Sequence, residues 1–188
     1  DTKACELAVE RGFTECFKLL VKAGAHLNNN LLLVASSQNN VDIVGFFIEN
    51  YRGEDPFLYE QALHVALREK KLEVVRLLIE VNTQKTSRIV EQAVIINNVE
   101  ILSLLLNAGY DVTRDCVDWA IKSKDSACLR ILIDSGVQLE TDYLLYAVRM
   151  SKFNHVEMMY AAGCPVPDNI LNVCISRRDV NLVRFFVN

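Results

Sequence analysis

Two apolar stripes of helical period alternate along the chain, separated by short polar breaks. One full cycle runs from Glu91 to Gly109. A first stripe through Ala93, Val94 and Ile95-Ile96 meets a polar corner at Asn97-Asn98, and a second runs from Val99 to Ala108 and stops at Gly109. Aligned on the alanine inside the first stripe, the cycle returns at Ala8, Ala35, Ala66, Ala93, Ala120 and Ala147, with Cys174 in the seventh place. The steps are 27, 31, 27, 27, 27 and 27 residues. Self-similarity at a fixed period in this range predicts a solenoid of stacked units.

The columns of this alignment define the elements. Three places before the alanine stand Cys5, Leu32, Leu63, Val90, Val117, Leu144 and Leu171; one place after it stand Val9, Ser36, Leu67, Val94, Ile121, Val148 and Ile175. With the alanine they form an i, i+3, i+4 stripe, the buried face of a short helix. The small central residue suits a position where a neighbouring helix crosses. Eleven and twelve places on come Leu19-Leu20, Phe46-Phe47, Leu77-Leu78, Leu104-Leu105, Ile131-Leu132, Met158-Met159 and Phe185-Phe186. Eight places on stand Cys16, Ile43, Val74, Ile101, Cys128, His155 and Leu182, where only His155 departs from apolar character. A helix apolar around so much of its circumference needs a unit on each side to cover it. The units must therefore stack.

Gly24, Gly109, Gly136 and Gly163 end their second helices, where a left-handed C-cap suits glycine. Thr113 or Asp115, Thr141 or Asp142, and Asp168 stand as N-cap candidates for the helices that follow. The 31-residue step carries an insertion around Tyr51 to Tyr59, in which Gly53 and Pro56 predict a turn. The expected organisation is a single all-α solenoid of seven helix-turn-helix repeats. Its units span about 1–27, 28–58, 59–85, 86–112, 113–139, 140–166 and 167–188.

Composition narrows the class of activity. Half of the 188 residues are apolar, enough for a continuous core, yet no apolar run reaches the roughly 18 residues of a membrane span. No basic region followed by an apolar stretch opens the sequence, so no secretory signal is visible. The net charge of −4, with basic residues dispersed through the units, argues against nucleic acid as the partner. The six cysteines (Cys5, Cys16, Cys116, Cys128, Cys164 and Cys174) form no close C-x-x-C pair and read as reduced, structural thiols of a cytoplasmic protein.

The unit Cys5 to Ala25 resembles an ankyrin repeat. So do Leu63-His64-Val65-Ala66 with Leu72-Glu73-Val74-Val75-Arg76-Leu77-Leu78-Ile79, and Leu104-Leu105-Leu106-Asn107-Ala108-Gly109-Tyr110-Asp111-Val112. The resemblance extends over the whole chain as seven units. Ankyrin units are about 33 residues long and open on a Thr-Pro turn. These are six residues shorter and contain no Thr-Pro-Leu-His. The missing residues are those of the β-hairpin finger, so tight connections with little or no strand are expected, along with binding on the helix-lined concave face rather than at finger tips. The resemblance also assigns His64 a turn-stabilising role.

Chemistry finds little foothold. His26, His64 and His155 occupy different units and columns, and none forms a metal-ligand spacing with another. Phosphate-cradling and nucleophile-elbow motifs are missing from the sequence. No catalytic, cofactor or metal site is predicted, and the expected activity is recognition of another protein. On the exposed side of the first helices, Leu33, Ile95, Ile96, Leu145 and Met150 interrupt a polar background, and Trp119 and Tyr146 extend this apolar set with residue types enriched at binding hot spots. These seven are the primary candidates for partner binding. Tyr51, Phe57 and Tyr59 on the insertion are the secondary ones.

A basic column of Lys18, Arg76, Arg130 and Arg184 on the second helices reads as a solvated face, or else as a basic stripe on the convex side for an acidic partner. The last unit keeps an apolar sequence, Leu182-Val183-Arg184-Phe185-Phe186-Val187. That predicts a segment of a longer array, or an array packed against something else. The expected role is a scaffold or adaptor. The alternative is a regulatory or targeting module of a larger enzyme, channel or host-interaction effector.

Overall fold

The computed structural model describes residues 2–51, 57–82 and 84–187. Among them are fourteen helices and no strand, ordered as seven antiparallel pairs. The pairs are α1 (Thr2–Glu10) with α2 (Thr14–Lys22), α3 (Asn29–Gln38) with α4 (Val41–Asn50), and α5 (Leu58–Arg68) with α6 (Leu72–Val81). They continue as α7 (Ser87–Ile95) with α8 (Val99–Asn107), α9 (Arg114–Lys122) with α10 (Ala127–Asp134), α11 (Thr141–Arg149) with α12 (Phe153–Ala161), and α13 (Ile170–Ser176) with α14 (Val180–Val187). Each helix packs on its pair mate and on the corresponding helix of the next unit.

The repeating apolar columns form the core. Ala35, Ala66, Ala93, Ala120, Ala147 and Cys174 are fully buried between successive first helices, and Ala8 nearly so. In units two to six the second member of the second-helix doublet is the deeper: Phe47, Leu78, Leu105, Leu132 and Met159 are fully buried. Cys16 departs from its column. It is exposed, and Phe17 takes the buried place, stacking on Phe47 with ring centroids 5.8 Å apart. The reason is positional: α2 packs on α1 and α4, and no helix among the described residues covers its other side.

Taken along the array, the first helices pack on one another more extensively than the second helices do, as a stack curved around the first-helix layer would require. That layer is the inner face. The turns within units line one edge of it and the connections between units line the other.

Within-unit turns share one device. The residue four places after the alanine takes positive φ: Gly12 (69°), Asn39 (63°), Lys70 (55°), Asn97 (51°), Ser151 (52°) and Arg178 (56°). This conformation suits glycine and asparagine best, so Lys70, Ser151 and Arg178 hold it under strain from the surrounding contacts. Unit five is the exception. There Ser123 Oγ donates to the carbonyl of Ala120 at 2.8 Å, and Asp125 Oδ1 accepts from the Ala127 amide at 2.9 Å.

Units also lock through side chains. Asn40 Nδ2 donates to the Val9 carbonyl at 2.7 Å across units one and two, while within unit two Tyr51 Oη donates to Asn29 Oδ1 at 2.9 Å. Asn82 Nδ2 donates to Tyr110 Oη at 3.0 Å, and Thr86 Oγ1 donates to Glu60 at 2.7 Å.

The N-cap expectations need correction. Thr113 occupies the cap of α9, but its hydroxyl turns to Glu91 at 3.2 Å in the preceding unit. Glu140 and Asn169, not Thr141, Asp142 or Asp168, precede α11 and α13. Side-chain caps form instead at Asn28 to the Leu31 amide, Asn98 to Ile101 and Asp179 to Leu182.

Candidate functional site

The richest surface on the inner face lies between α9 and α11. Asp118, Trp119 and Lys122 project from α9; Asp142, Leu145, Tyr146 and Arg149 from α11. Except for Trp119 these residues, with Arg114, line a groove of ≈ 410 Å³. Trp119 stands at its lip, 41% exposed, a high value for the largest apolar side chain in the chain. The Lys122 ammonium sits 4.3 Å from the Trp119 ring centroid and 5.9 Å from that of Tyr146. The i, i+3 spacing on α9 brings Lys122 over the indole, and the 27-residue step from Trp119 to Tyr146 brings in the second ring. The cation is thereby fixed over two aromatic rings.

Charge is divided across the groove. Arg114, at the edge of the inter-unit connections, reaches Glu140 at 3.4 Å and Asp142 at 3.2 Å, and these carboxylates, led by Asp142, raise its pKa further. At the turn edge Lys122 and Arg149 have no carboxylate partner among the described residues.

The predicted contact residues divide accordingly. Leu145 and Tyr146 line the groove itself, half-buried and packed on the core. Met150 lies at the end of α11, 43% exposed. Ile95, 54% exposed, belongs to a neighbouring groove between α5 and α7 with His64, Arg88, Glu91 and Gln92. Ile96 and Leu33 are half-buried against the core, and Leu33 sits three units from Trp119. They are support for the layer more than surface. Lys122 and Arg149 stood in the sequence as ordinary polar residues, and the i, i+3 relation of Lys122 to Trp119 was the signal that marks one of them out.

The secondary candidates do not form a surface of their own. Tyr51 packs edge-on against Phe47 at 5.6 Å, and Tyr59 donates to the Tyr51 carbonyl at 3.3 Å, so both are half-buried fasteners between units two and three. Phe57 is 52% exposed at the start of α5. The predicted turn at Gly53 and Pro56 lies outside the described residues.

Of two histidines, His155 keeps the buried place its column implies and His64 does not keep the role the resemblance assigns it. His64 is not a turn fastener: Nδ1 meets Gln92 Oε1 of the next unit, and Gln92 Nε2 donates back to the His64 carbonyl at 3.2 Å. His155 is 2% exposed, and its Nε2 finds no hydrogen-bond partner among the described residues. Burial pushes its pKa below the ordinary value and the nearby Lys152 charge adds to this; the carbonyls of Ala120 and Asp125 and the Asp125 carboxylate act in the opposite sense.

The unfolded chain thus takes up a proton near pH 6.5 that the folded one resists. Stability is full above that pH and falls progressively as pH drops from about 6.5 toward the lower folded pKa. Thermal melts between pH 7.5 and 5 should show this decline, and His155→Leu, which restores the apolar column, should flatten it. An unchanged slope in the variant would assign the decline to other groups.

The second-helix face is closer to neutral. Arg76 pairs with Glu73 at 3.9 Å and Glu100 at 3.6 Å, and Lys18 with Glu15 at 3.4 Å. Lys18 and Arg76 of the basic column there are solvent-accessible and paired. All six cysteines are free, and burial pushes Cys128 and Cys164 up to about 11. No group of three or more potential metal ligands gathers among the described residues, and none of the described helices is long and apolar enough to cross a membrane.

Comparison with known proteins agrees with the repeat. The family model for ankyrin repeats, in three copies, matches residues 5–89. Comparison with curated proteins finds no match.

Proposed function

Because the chain is an ankyrin-repeat protein through residues 5–89 and continues the same helix pair to α14, we propose that it is a protein-binding scaffold or adaptor. Ankyrin repeats are protein-interaction modules. The partner sits on the inner, first-helix face, centred on the α9–α11 groove and extending over Ile95, Trp119 and Met150. The observation that supports this most is the exposure of those three large apolar side chains on interior units of the layer, where Leu7 and Ile175 are exposed only on its first and last helices. Aromatic anchors ringed by charge are the usual composition of binding hot spots. Recognition would use preorganised side chains and no covalent chemistry. Buried, reduced thiols support an intracellular setting.

The test is affinity capture from cell extract, read by mass spectrometry, with wild type beside the double variant Ile95→Asp, Met150→Asp and the single variant Trp119→Ala. Helicity and melting are matched first. A partner held by wild type should weaken by roughly thirtyfold or more in each variant, the scale of a lost hot spot. Equal recovery of the same partners by all three proteins would remove the inner face from consideration.

A further inference from the structure

We infer that the partner presents an acidic segment carrying apolar side chains, read by a basic rim along the within-unit turns of units five to seven. This rests on the inner-face assignment above and gives that face its partner chemistry. The chain as a whole is acidic, with 24 carboxylates to 20 lysines and arginines. The turn edge of units five to seven reverses that balance: Lys122, Lys124, Arg149, Lys152, Arg177 and Arg178 stand against Asp125 and Asp179.

Both of those carboxylates are engaged inside the turns. Asp125 accepts from the Ala127 amide at 2.9 Å and from Asn97 Nδ2 at 2.7 Å, and these bonds hold its pKa low. Asp179 Oδ1 accepts from the Leu182 amide at 3.1 Å. The cations remain without carboxylate partners among the described residues. Two of them are held in place: Lys122 over Trp119 and Tyr146, and Lys152 through its bond to the Ser123 carbonyl at 2.8 Å. Ordered cations lose less entropy on pairing than free ones, so they favour a carboxylate arriving from outside.

The opposite edge decides between kinds of anion. In units five to seven Asp115, Asp118, Glu140, Asp142 and Asp168 line the inter-unit side, with Arg114 the one basic residue opposing them there. Asp118 and Asp142 face into the groove. A nucleic-acid backbone, charged at every phosphate, would meet these carboxylates as it crossed the inner face. A polypeptide can place its acidic residues on the turn edge and its apolar residues over Trp119, Leu145 and Tyr146. Charge complementarity of this kind fixes orientation and speeds encounter.

The test uses fluorescently labelled short peptides. One pool is built from Glu, Asp, Leu, Phe and Gly; a second replaces the acids with Lys and Arg; a single-stranded oligonucleotide is the third probe. Wild type should bind the acidic pool, and more weakly as salt rises. Lys122→Glu with Arg149→Glu should lower affinity by roughly tenfold, whereas Lys18→Glu with Arg76→Glu on the second-helix face should leave it unchanged. Preference for the basic pool, tighter binding of the oligonucleotide, or indifference to the Lys122 and Arg149 reversal would each overturn the inference. A captured protein that is lost with Ile95→Asp, Met150→Asp yet indifferent to the charge reversal would overturn it too, while leaving the inner-face function standing.

Discussion

Replacing Leu105 with aspartate is expected to unfold the middle of the array while leaving its distant units largely helical. Leu105 is fully buried in α8, and α8 packs between α6 and α10. Truncation to alanine at such a site removes transfer free energy and leaves a cavity, together costing about 2–5 kcal/mol. Aspartate adds an unpaired charge in a place with no partner, which raises the cost well beyond that range.

In a single cooperative core, a penalty of this size would melt everything. In a stack each unit depends on its own stability and on the interfaces to its neighbours, so the loss should be felt first in α7 to α10 and fade outward. Hydrogen exchange by mass spectrometry distinguishes the two. Protection should vanish in units four and five and persist in α1 to α4 and in α11 to α12. Uniform loss along the chain would mean that the inter-unit joints are too strong for local opening, and the array would then behave as one domain.

The same one-dimensional logic explains what the sequence could and could not reveal. A 27-residue step fixes which residues repeat an environment, so the alanine column and the buried doublets were readable without coordinates. It says less about units whose neighbours differ. Cys16 sits in a buried column yet is exposed because no helix among the described residues covers one side of α2. Thr113 has the right type for an N-cap, but a carboxylate in the adjacent unit competes for its hydroxyl.

The candidate surface was legible only in part for a related reason. A column assigns a side of a helix, but on the inner layer adjacent helices share that side, so Leu33 and Ile96 turn out half-buried while Ile95 stands clear. Lys122 escaped the pattern because its importance lies in two rings, one in its own unit and one in the next. Columns compare like with like. They do not show what unlike residues do together.

The alanine column carries the second large effect. Ala120 is fully buried on α9, which packs between α7 and α11. Leucine is nearly as good a helix former as alanine, so Ala120→Leu changes helix propensity little. Any large cost must therefore come from packing. The added side chain has to displace α7 or α11, and overpacking a well-filled site typically costs about 1–3 kcal/mol. Here the backbone approach across the whole first-helix layer makes the upper end the expectation.

Ala161, exposed at the end of α12, supplies the control, since leucine there meets solvent and should leave the melting temperature almost unchanged. Chemical denaturation of both variants measures the difference directly. If Ala120→Leu proved as mild as Ala161→Leu, the small residue would not be what lets the first helices pack closely, and the bend of the array around its inner face would need another cause. If it is severe, the recurrent alanine is the feature that draws the first helices together. It would then also set how near Trp119 and Tyr146 come to sharing one cation.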